Sequence, residues 1–493
     1  MVIKKPDSQR MPNGKERRQI VACRIRSNRE RSETENGYAP RPLLLQAKRR
    51  VQSVKKGTFC FLLLSCLVGI TLLFCQNLPP SRFRSVITYV HSGGNGRIAI
   101  KLLEPVSPRY NTGTGIVLTV GGFFTPGSTT DFHFDLPIER EGIVSASFLW
   151  PGSRARIDQV ESEGVFDYGG PLCIQALSDV VLFLTGNKTD VNGKTVQQVL
   201  STPVDVENAG LYAFSHPGIA VVQLFAHHPE SAKYVSFFVG GENPTTDELI
   251  AVEVGHYVQK KPENIPVYNP FYDYPQDYGL NDLRFDYSNI RYHLVQGIPY
   301  YDVDQNRSFG SGDIPFESRK PTLFGKVVYS VNLLTGLLAN GSLRRDTWPE
   351  TWATPEEAEA WWKDRSTAFQ FELIANHDYE TKVMLVFGLD DHVQTAKDKP
   401  HIHHMYDGFF SIAEFPWVRL NPDVSYLEAL VKRKIGSYTE HPSNTEPVDW
   451  LKIGEWAVQP PVIVSAGALA AVLEMADRTH FEDWSSNLNR VLK

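Results

Sequence analysis

Cysteine is scarce in this chain and lies almost entirely near its beginning. Five cysteines occur in 493 residues, and four of them fall within the first 75. The rest of the chain holds only Cys173, so this long region cannot form a disulfide within itself. Its stability must come from a hydrophobic core, and a region of about 400 residues is large enough to bury one.

Long hydrophobic runs are absent with one exception, residues 58–75. Eighteen consecutive residues there carry no charge. At about 1.5 Å of rise per residue, they suffice for one crossing of a bilayer's hydrocarbon core. We interpret the run as one transmembrane helix. A secretory signal peptide is the alternative, but such peptides have a short basic segment before the apolar core, and here 57 residues precede it.

Acidic residues are scarce at the N-terminus. Residues 1–57 hold 16 Lys and Arg against 5 Asp and Glu, a net charge of +11, and the remaining residues hold 34 against 51, a net charge of −17. The positive-inside rule then predicts a cytoplasmic tail and a large extracytoplasmic domain. We expect the tail to be disordered and drawn to anionic headgroups. Membrane contact is expected through residues 58–75, and no nucleic-acid partner is expected.

Internal repeats and low-complexity segments are also missing, and the large region instead alternates between two periodicities. Apolar, β-rich runs predict strands, and helical spacing predicts helices between them. The predicted strands are 115–124, 143–152, 210–215, 234–241, 383–388 and 417–422, and the predicted helices are 172–186 and 218–228. Short apolar strands alternating with helices predict an α/β fold with a mostly parallel, doubly wound sheet.

The alternation stops between residues 241 and 379, where Pro, Tyr, Asp and Asn dominate. So long a stretch without sheet signals indicates an inserted cap. Thr354, Pro355 and Glu357 predict the start of a helix inside it. The predicted organisation is a tail (1–57), a transmembrane helix (58–75), a linker or N-terminal extension (76–109), the first part of the core (110–240), the cap (241–379) and the second part of the core (380–493).

Ser215 lies where a predicted strand meets a predicted helix, in Ala213-Phe-Ser-His-Pro-Gly218. A nucleophile elbow needs this context, because the tight turn presents the hydroxyl at the carboxyl edge of the sheet. The usual motif has glycine two residues before and two after the serine, and here Ala213 and Pro217 stand there. A serine N-cap followed by proline is also an ordinary helix start, so both interpretations stay open.

Two aspartates, Asp390 and Asp391, follow the predicted strand 383–388. An α/β-hydrolase carries the acid of its triad at this place, and the chain order Ser, Asp, His fits. Aspartate is also common in turns that follow strands, which is the structural alternative.

Three histidines, His401, His403 and His404, come next. Histidine is the side chain best suited to accept a serine proton near neutral pH, and we favour His403 as the general base. A conventional triad histidine would follow the last strand, 417–422, so this cluster comes one element early. A zinc site is the alternative, but no acidic or cysteine partner stands in register.

Oxygen-bearing side chains also occur with the spacing of a calcium loop. Asp302, Asp304, Asn306 and Asp313 occupy positions 1, 3, 5 and 12 of such a loop. Arg307 stands at the sixth position, where these loops want glycine. The expected chemistry requires no cofactor, but this spacing suggests a calcium site, and a plain polar turn is the alternative.

Several stretches together resemble a family of α/β-hydrolase-fold proteins known mainly from genomes, with the dienelactone hydrolases and the prolyl oligopeptidase catalytic domain as broader relatives. The stretches are 164–186, 210–220, 238–256, 390–409 and 417–423. The resemblance implies an eight-stranded, mostly parallel sheet with Ser215 as the nucleophile and Asp391 as the acid. It also implies that Gly121 and Gly122 lie in the oxyanion loop.

These observations lead us to expect a membrane-anchored serine hydrolase that cleaves an ester or related acyl bond of a small molecule. Ser215 would attack, His403 would take its proton, Asp391 would orient the histidine, and N–H groups near Gly121 and of His216 would hold the oxyanion. A peptidase of the prolyl oligopeptidase kind is one alternative, although only residues 76–114 separate the anchor from the first predicted strand and leave no room for a propeller. A catalytically inactive binding module is the other, because of the proline at position 217.

Overall fold

The computed structural model describes residues 83–122, 131–245, 256–260, 263–267, 286–316, 325–388, 399–435, 464–485 and 491. The predicted membrane helix, residues 58–75, lies outside them. Within the described residues, every helix is too short or too polar to cross a bilayer.

Fifteen strands are formed by the described residues. Their bounds are β1 (Phe83–Ser92), β2 (Gly96–Pro105), β3 (Thr114–Val120), β4 (Val144–Phe148), β5 (Arg154–Ala155), β6 (Val160–Glu161), β7 (Val204–Phe214), β8 (Phe237–Gly241), β9 (His256–Lys260), β10 (Glu263–Val267), β11 (Ile290–His293), β12 (Ile298–Tyr301), β13 (Ile314–Pro315), β14 (Lys382–Val386) and β15 (Trp417–Leu420). The six core strands predicted from apolar runs are all present, as β3, β4, β7, β8, β14 and β15.

Eight of these strands build one central sheet, in the order β1-β2-β4-β3-β7-β8-β14-β15. Strand β2 is antiparallel to both of its neighbours, β1 and β4. Every other neighbouring pair is parallel. The α/β-hydrolase fold has this order and these directions, so the predicted fold class is confirmed for the sheet.

The sheet begins earlier in the chain than the first strand predicted from the sequence. Residues 83–105, assigned from the sequence to a linker over 76–109, form the hairpin β1–β2, whose ten residue pairs run from Phe83↔Pro105 to Ser92↔Gly96. The assignment of these residues to a linker is therefore wrong. The strands were missed because antiparallel edge strands need only one apolar face. Strand β1 mixes exposed and buried residues and lacks the continuous apolar run by which the parallel strands were recognised.

The helices cover the sheet and build the cap. Their bounds are α1 (Pro171–Leu184), α2 (Val196–Val199), α3 (Pro217–His227), α4 (Pro229–Ala232), α5 (Val331–Ala339), α6 (Pro355–Lys363), α7 (Phe371–Ile374), α8 (Pro400–Asp407), α9 (Val424–Val431) and α10 (Val464–Phe481). Short 3-10 turns cover Ile138–Glu141, Tyr287–Asn289, Arg345–Thr347 and Thr367–Phe369, and a π-helical turn covers Gly408–Ile412. Helices α1 and α3 confirm the two core helices predicted from the sequence.

The two faces of the sheet have separate hydrophobic cores. Helices α1 and α3 share one core with the inner residues of the sheet, such as Leu118 and Leu211. Helices α9 and α10 share the other, with residues such as Val117 and Tyr212. Neighbouring residues of one strand thus point to opposite cores, and both faces of the parallel region are covered.

The α10 face also buries charge. Asp477 of α10 has no exposed surface, and its carboxylate accepts hydrogen bonds from Arg109 Nε (2.5 Å), Tyr110 Oη (2.7 Å) and Tyr426 Oη (2.9 Å). Burial, and then the neighbouring Asp477 charge, raise the pKa of Tyr110. A buried carboxylate is tolerated when donors surround it in this way.

A second buried carboxylate lies one helical turn earlier, on Glu474. It accepts hydrogen bonds from Arg478 Nε (2.8 Å), from Arg419 Nη1 (3.4 Å) and from the backbone N–H of Asp423 (2.6 Å). Asp477, Glu474 and their partners are called the α10 network below. The network ties α10 to the strands and to the start of α9.

A further, smaller core, separate from the two on the faces of the main sheet, lies between β8 and β14 in the chain, within the region predicted as a cap. Strands β11, β12 and β13 form a small antiparallel sheet, and α5 and α6 pack with it around Trp352. Helix α6 begins with the predicted capping box, in which Thr354 Oγ1 accepts from Glu357 N (3.2 Å) and Glu357 Oε2 accepts from Thr354 N (2.9 Å). The helix predicted at Thr354 is therefore confirmed.

Candidate active site

Ser215 follows the last residue of β7 and precedes α3. Its φ angle is 58°, in the left-handed region, which costs a residue with a side chain about 1–2 kcal/mol. Two hydrogen bonds hold this conformation: Ser215 N–H donates to Gly241 O (2.7 Å), and Ser215 O accepts from Gly218 N–H (3.0 Å). The strand–serine–helix arrangement expected from the sequence is present, and we call residues 213–218 the Ser215 turn.

Pro217 fits this turn without distortion. It is the first residue of α3, a position that needs no N–H donor. The close approach for which nucleophile elbows usually need glycine occurs one residue later, at Gly218. A Cβ atom there would lie 2.3 Å from Asn243 Cγ. The departure from the usual motif therefore does not by itself disable the turn.

His216 lies directly against the serine. Its Nδ1 is 3.4 Å from Ser215 Oγ, and its backbone caps the N-terminus of α3. The N–H group of the residue after a nucleophile commonly contributes to an oxyanion hole. The positive end of the helix dipole would add to the same effect.

Gly121 and Gly122 follow directly after β3. The last residue pair that β3 forms with β7 joins Val120 to Ala213. The two glycines thus run on toward the level of Ser215. Gly122 has a φ angle of 68°, a conformation that glycine adopts without strain. The indole Nε1 of Trp150 donates to Gly121 O at 2.6 Å and fixes this backbone. The oxyanion role that the resemblance implies for the glycine pair stays a prediction.

His133 packs on the glycine pair and was missed in the sequence. A Cβ atom on Gly121 would lie 2.5 Å from His133 Cβ, and one on Gly122 would lie 2.8 Å from His133 Nε2. His133 Nδ1 is 4.0 Å from Asp135 Oδ1, and its buried Nε2 has no hydrogen-bond partner among the described residues. The His-x-Asp spacing was the available signal, but such a pair is too common to stand out.

The predicted histidine cluster lies on α8. His403 is 7% exposed, and its Nε2 is 2.7 Å from Asp407 Oδ2, one turn later on the same helix. A triad histidine ordinarily faces its acid with Nδ1 and the serine with Nε2. Among the described side chains, the cluster belongs to no group of three with the geometry of metal ligands, so zinc gains no support. Asp391, the predicted acid, lies outside the described residues.

Glu242 and Asn243 follow β8 at the same edge of the sheet and were also missed. Glu242 is 4% exposed, has a φ angle of 47°, and accepts from Gly388 N–H through Oε1 at 3.1 Å. Burial, and then the charges of Asp135 and Glu242, raise the pKa of Tyr212. The structure therefore brings two further carboxylates close to the nucleophile strand. Contacts across neighbouring strands carry no local sequence signal.

The predicted calcium loop is folded as a hydrogen-bonded turn. One carboxylate oxygen each of Asp302, Asp304 and Asp313 lies within 4.8 Å of the others. The carboxylate of Asp302 accepts from the backbone N–H of Asn306 (3.1 Å) and Arg307 (2.9 Å). The side-chain amide of Asn306 donates to Asp304 at 2.7 Å. The polar-turn alternative accounts for these contacts, and calcium binding stays a prediction.

Comparisons with known proteins give only weak similarity. No protein-family model and no curated protein matches the chain. Prolyl oligopeptidase B from Galerina marginata aligns with a TM-score of 0.36 and 10% identity, covering 81% of this chain and 38% of its own. An esterase from Pyrobaculum calidifontis aligns with a TM-score of 0.31 and 10% identity, covering 75% of this chain and 85% of its own.

This chain thus spans well under half the length of the prolyl oligopeptidases that it matches. Such weak similarities carry no argument about activity. The order and directions of the sheet strands, together with the strand–serine–helix turn, give the chain the α/β-hydrolase fold.

Proposed function

We propose that this chain is a serine hydrolase that cleaves an ester or a related acyl bond, with Ser215 as the nucleophile. The strained backbone of Ser215 carries the proposal. A non-glycine residue in the left-handed region is uncommon, and such strain is concentrated at functional sites. Glu242, directly after β8, has the same kind of conformation at this edge of the sheet, but only Ser215 of the two carries a hydroxyl nucleophile. Ser215 Oγ lies 3.4 Å from Nδ1 of His216, the residue that precedes α3.

The proposed reaction uses Ser215 Oγ to attack the acyl carbon while its proton passes to a histidine. We propose His403 for that role, with Asp391 to orient it. The charge on the former carbonyl oxygen would be held by N–H groups of His216 and the Gly121–Gly122 segment. The histidine then protonates the leaving group, and water cleaves the acyl-enzyme by the same route.

His133 is the alternative base. It lies on the glycine pair, its buried Nε2 faces Gly122, and Asp135 stands on its Nδ1 side. His403 contacts Asp407 through Nε2, so that contact must break before Nε2 can meet the serine and Nδ1 can meet Asp391. Both assignments use an imidazole as the general base, and single substitutions of the two histidines distinguish them.

A fluorophosphonate probe tests the nucleophile. The folded chain should take one equivalent of probe, and Ser215→Ala should take none, whereas Ser201→Ala, at an exposed serine before β7, should label like the unmodified chain. Hydrolysis of p-nitrophenyl acetate should follow the labelling. A folded chain that takes no probe would favour a binding module, and labelling combined with cleavage of peptides but not esters would favour a peptidase.

We also propose that residues 58–75 anchor the protein in a membrane, with residues 1–57 cytoplasmic and the large domain outside. The uncharged run and the basic flank support this orientation. Protease added to intact cells should digest the large domain and spare the tail. Protection of the large domain until the membrane is broken would contradict the orientation.

A further inference from the structure

Asn243 contacts the Ser215 turn from the neighbouring strand. It lies two residues beyond β8 and is 1% exposed. Its side-chain Nδ2 donates to Ala213 O at 3.0 Å and to Ser215 O at 2.7 Å. One buried carboxamide therefore holds two backbone carbonyl groups of the Ser215 turn, that of the serine itself and that of the residue two positions before it.

The orientation of this carboxamide follows from its partners. Backbone carbonyl oxygens can only accept hydrogen bonds, so the nitrogen and not the oxygen of Asn243 must face Ala213 and Ser215. Two glycines leave the space that the side chain fills. A Cβ on Gly218 would lie 2.3 Å from Asn243 Cγ, and one on Gly240 would lie 2.2 Å from Asn243 Oδ1. The surrounding backbone is therefore shaped around this side chain.

The carboxamide of Asn243 combines two satisfied donors with one unsatisfied acceptor. The Oδ1 atom of Asn243 is buried and has no hydrogen-bond partner among the described residues. An unsatisfied buried acceptor destabilises the folded state, and an apolar side chain of similar size would avoid it. What the asparagine supplies, and an apolar residue cannot, is the pair of N–H donors directed at the Ser215 turn.

We propose that Asn243 is a positioning residue for the hydrolase reaction, because its carboxamide keeps Ser215 in the left-handed conformation that presents Oγ. The inference rests on the proposed role of Ser215 as nucleophile. Asn243 would touch neither the substrate nor the reacting atoms. It would act only through the backbone on either side of the serine, together with the 2.7 Å bond from Ser215 N–H to Gly241 O.

Asn208 provides a matched control on the same strand. It lies toward the opposite end of β7, it is also 1% exposed, and its Nδ2 donates to Ala476 O at 2.9 Å. Its Oδ1 likewise has no partner among the described residues. Substitution at either position removes a buried asparagine with one orphaned oxygen, but only Asn243 contacts the Ser215 turn.

The test compares four variants of the full chain: Asn243→Asp, Asn243→Ala, Asn208→Asp and Asn208→Ala. Esterase kcat and KM and the rate of fluorophosphonate labelling are measured per folded protein, below the melting temperature of each variant. We expect both changes at position 243 to lower kcat and the labelling rate about 100-fold with KM little changed, since small misplacements of a reacting group have effects of this size. The changes at position 208 should lower the melting temperature and leave kcat unchanged.

Three outcomes would overturn the inference. The first is a wild-type labelling rate in the folded Asn243 variants. The second is an equal loss of kcat at both positions, and the third is failure of only the Asn243 variants to fold, which would assign the residue to folding. Failure of the proposed function gives a different result, because the unmodified chain would then take no probe.

Discussion

The α10 network and the Ser215 turn differ in how their polar residues are held. In the α10 network, Asp477 and Glu474 are fully buried and each carboxylate accepts several hydrogen bonds from charged or neutral donors. In the Ser215 turn, the serine is strained and the neighbouring Asn243 keeps an acceptor without a partner among the described residues. The paired carboxylates of the α10 network stabilise the fold, whereas the strained serine backbone at the carboxyl edge of the sheet indicates a functional site.

The comparison predicts that Ser215→Ala affects activity alone. Esterase activity should fall by roughly 10⁵-fold, because the nucleophile and its base act as a unit. The free energy of unfolding should change by less than about 1 kcal/mol, since one hydroxyl is removed and the backbone bonds of the turn remain. Chemical denaturation and initial rates on p-nitrophenyl acetate measure the two quantities. Unchanged activity would show that the nucleophile is elsewhere.

Substitution of single histidines should identify the base. We expect His403→Ala to lower kcat by about 10³–10⁴-fold, a size typical for loss of a general base, with folding preserved. His401→Ala should have a small effect, because at most one member of the α8 cluster would face the serine. If His133→Ala gives the large loss and His403→Ala the small one, the base lies on the glycine-pair side of the site.

The α10 network should show the reverse behaviour. Asp477→Ala leaves Arg109, whose side chain is 3% exposed, without its carboxylate, and the free energy of unfolding should fall by about 3–5 kcal/mol. The kcat of the protein that remains folded should be unchanged. Lys434→Ala is the control, because it breaks an ion pair whose lysine is 92% exposed, and such pairs contribute about 1 kcal/mol or less. Equal effects of Asp477→Ala and Lys434→Ala on urea denaturation would show that the buried ion pair stabilises the fold no more than the exposed one.

Calcium gives the smallest expected effect. If the loop from Asp302 to Asp313 binds it, calcium at 100 times its dissociation constant should stabilise the fold by about 2.7 kcal/mol over the chelated protein. Asp304→Asn should reduce that difference. Equal melting temperatures in chelator and in millimolar calcium would leave the loop as the polar turn that its backbone hydrogen bonds describe.

Much of the fold could be predicted because its signals are local. Continuous apolar runs located β3, β4, β7, β8, β14 and β15, and the capping residues Thr354 and Glu357 located α6. The edge hairpin β1–β2 was missed, because a strand with one apolar face lacks such a run. In the candidate site, the sequence located Ser215, since a strand–turn–helix junction can be recognised within six residues, whereas the glycine pair was implied by the resemblance to α/β-hydrolases.

The sequence by itself determined the order of the six core strands and of helices α1 and α3, the scarcity of cysteine, the single uncharged run and the serine between a strand and a helix. Tertiary structure alone decided that Asn243 lies against a turn 30 residues earlier, that Arg109 meets Asp477 across 368 residues, and that His133 packs on Gly121 and Gly122. The physical reason is that periodicity and capping act within a few residues, whereas these contacts depend on the register of neighbouring strands and on how helices pack across the finished sheet.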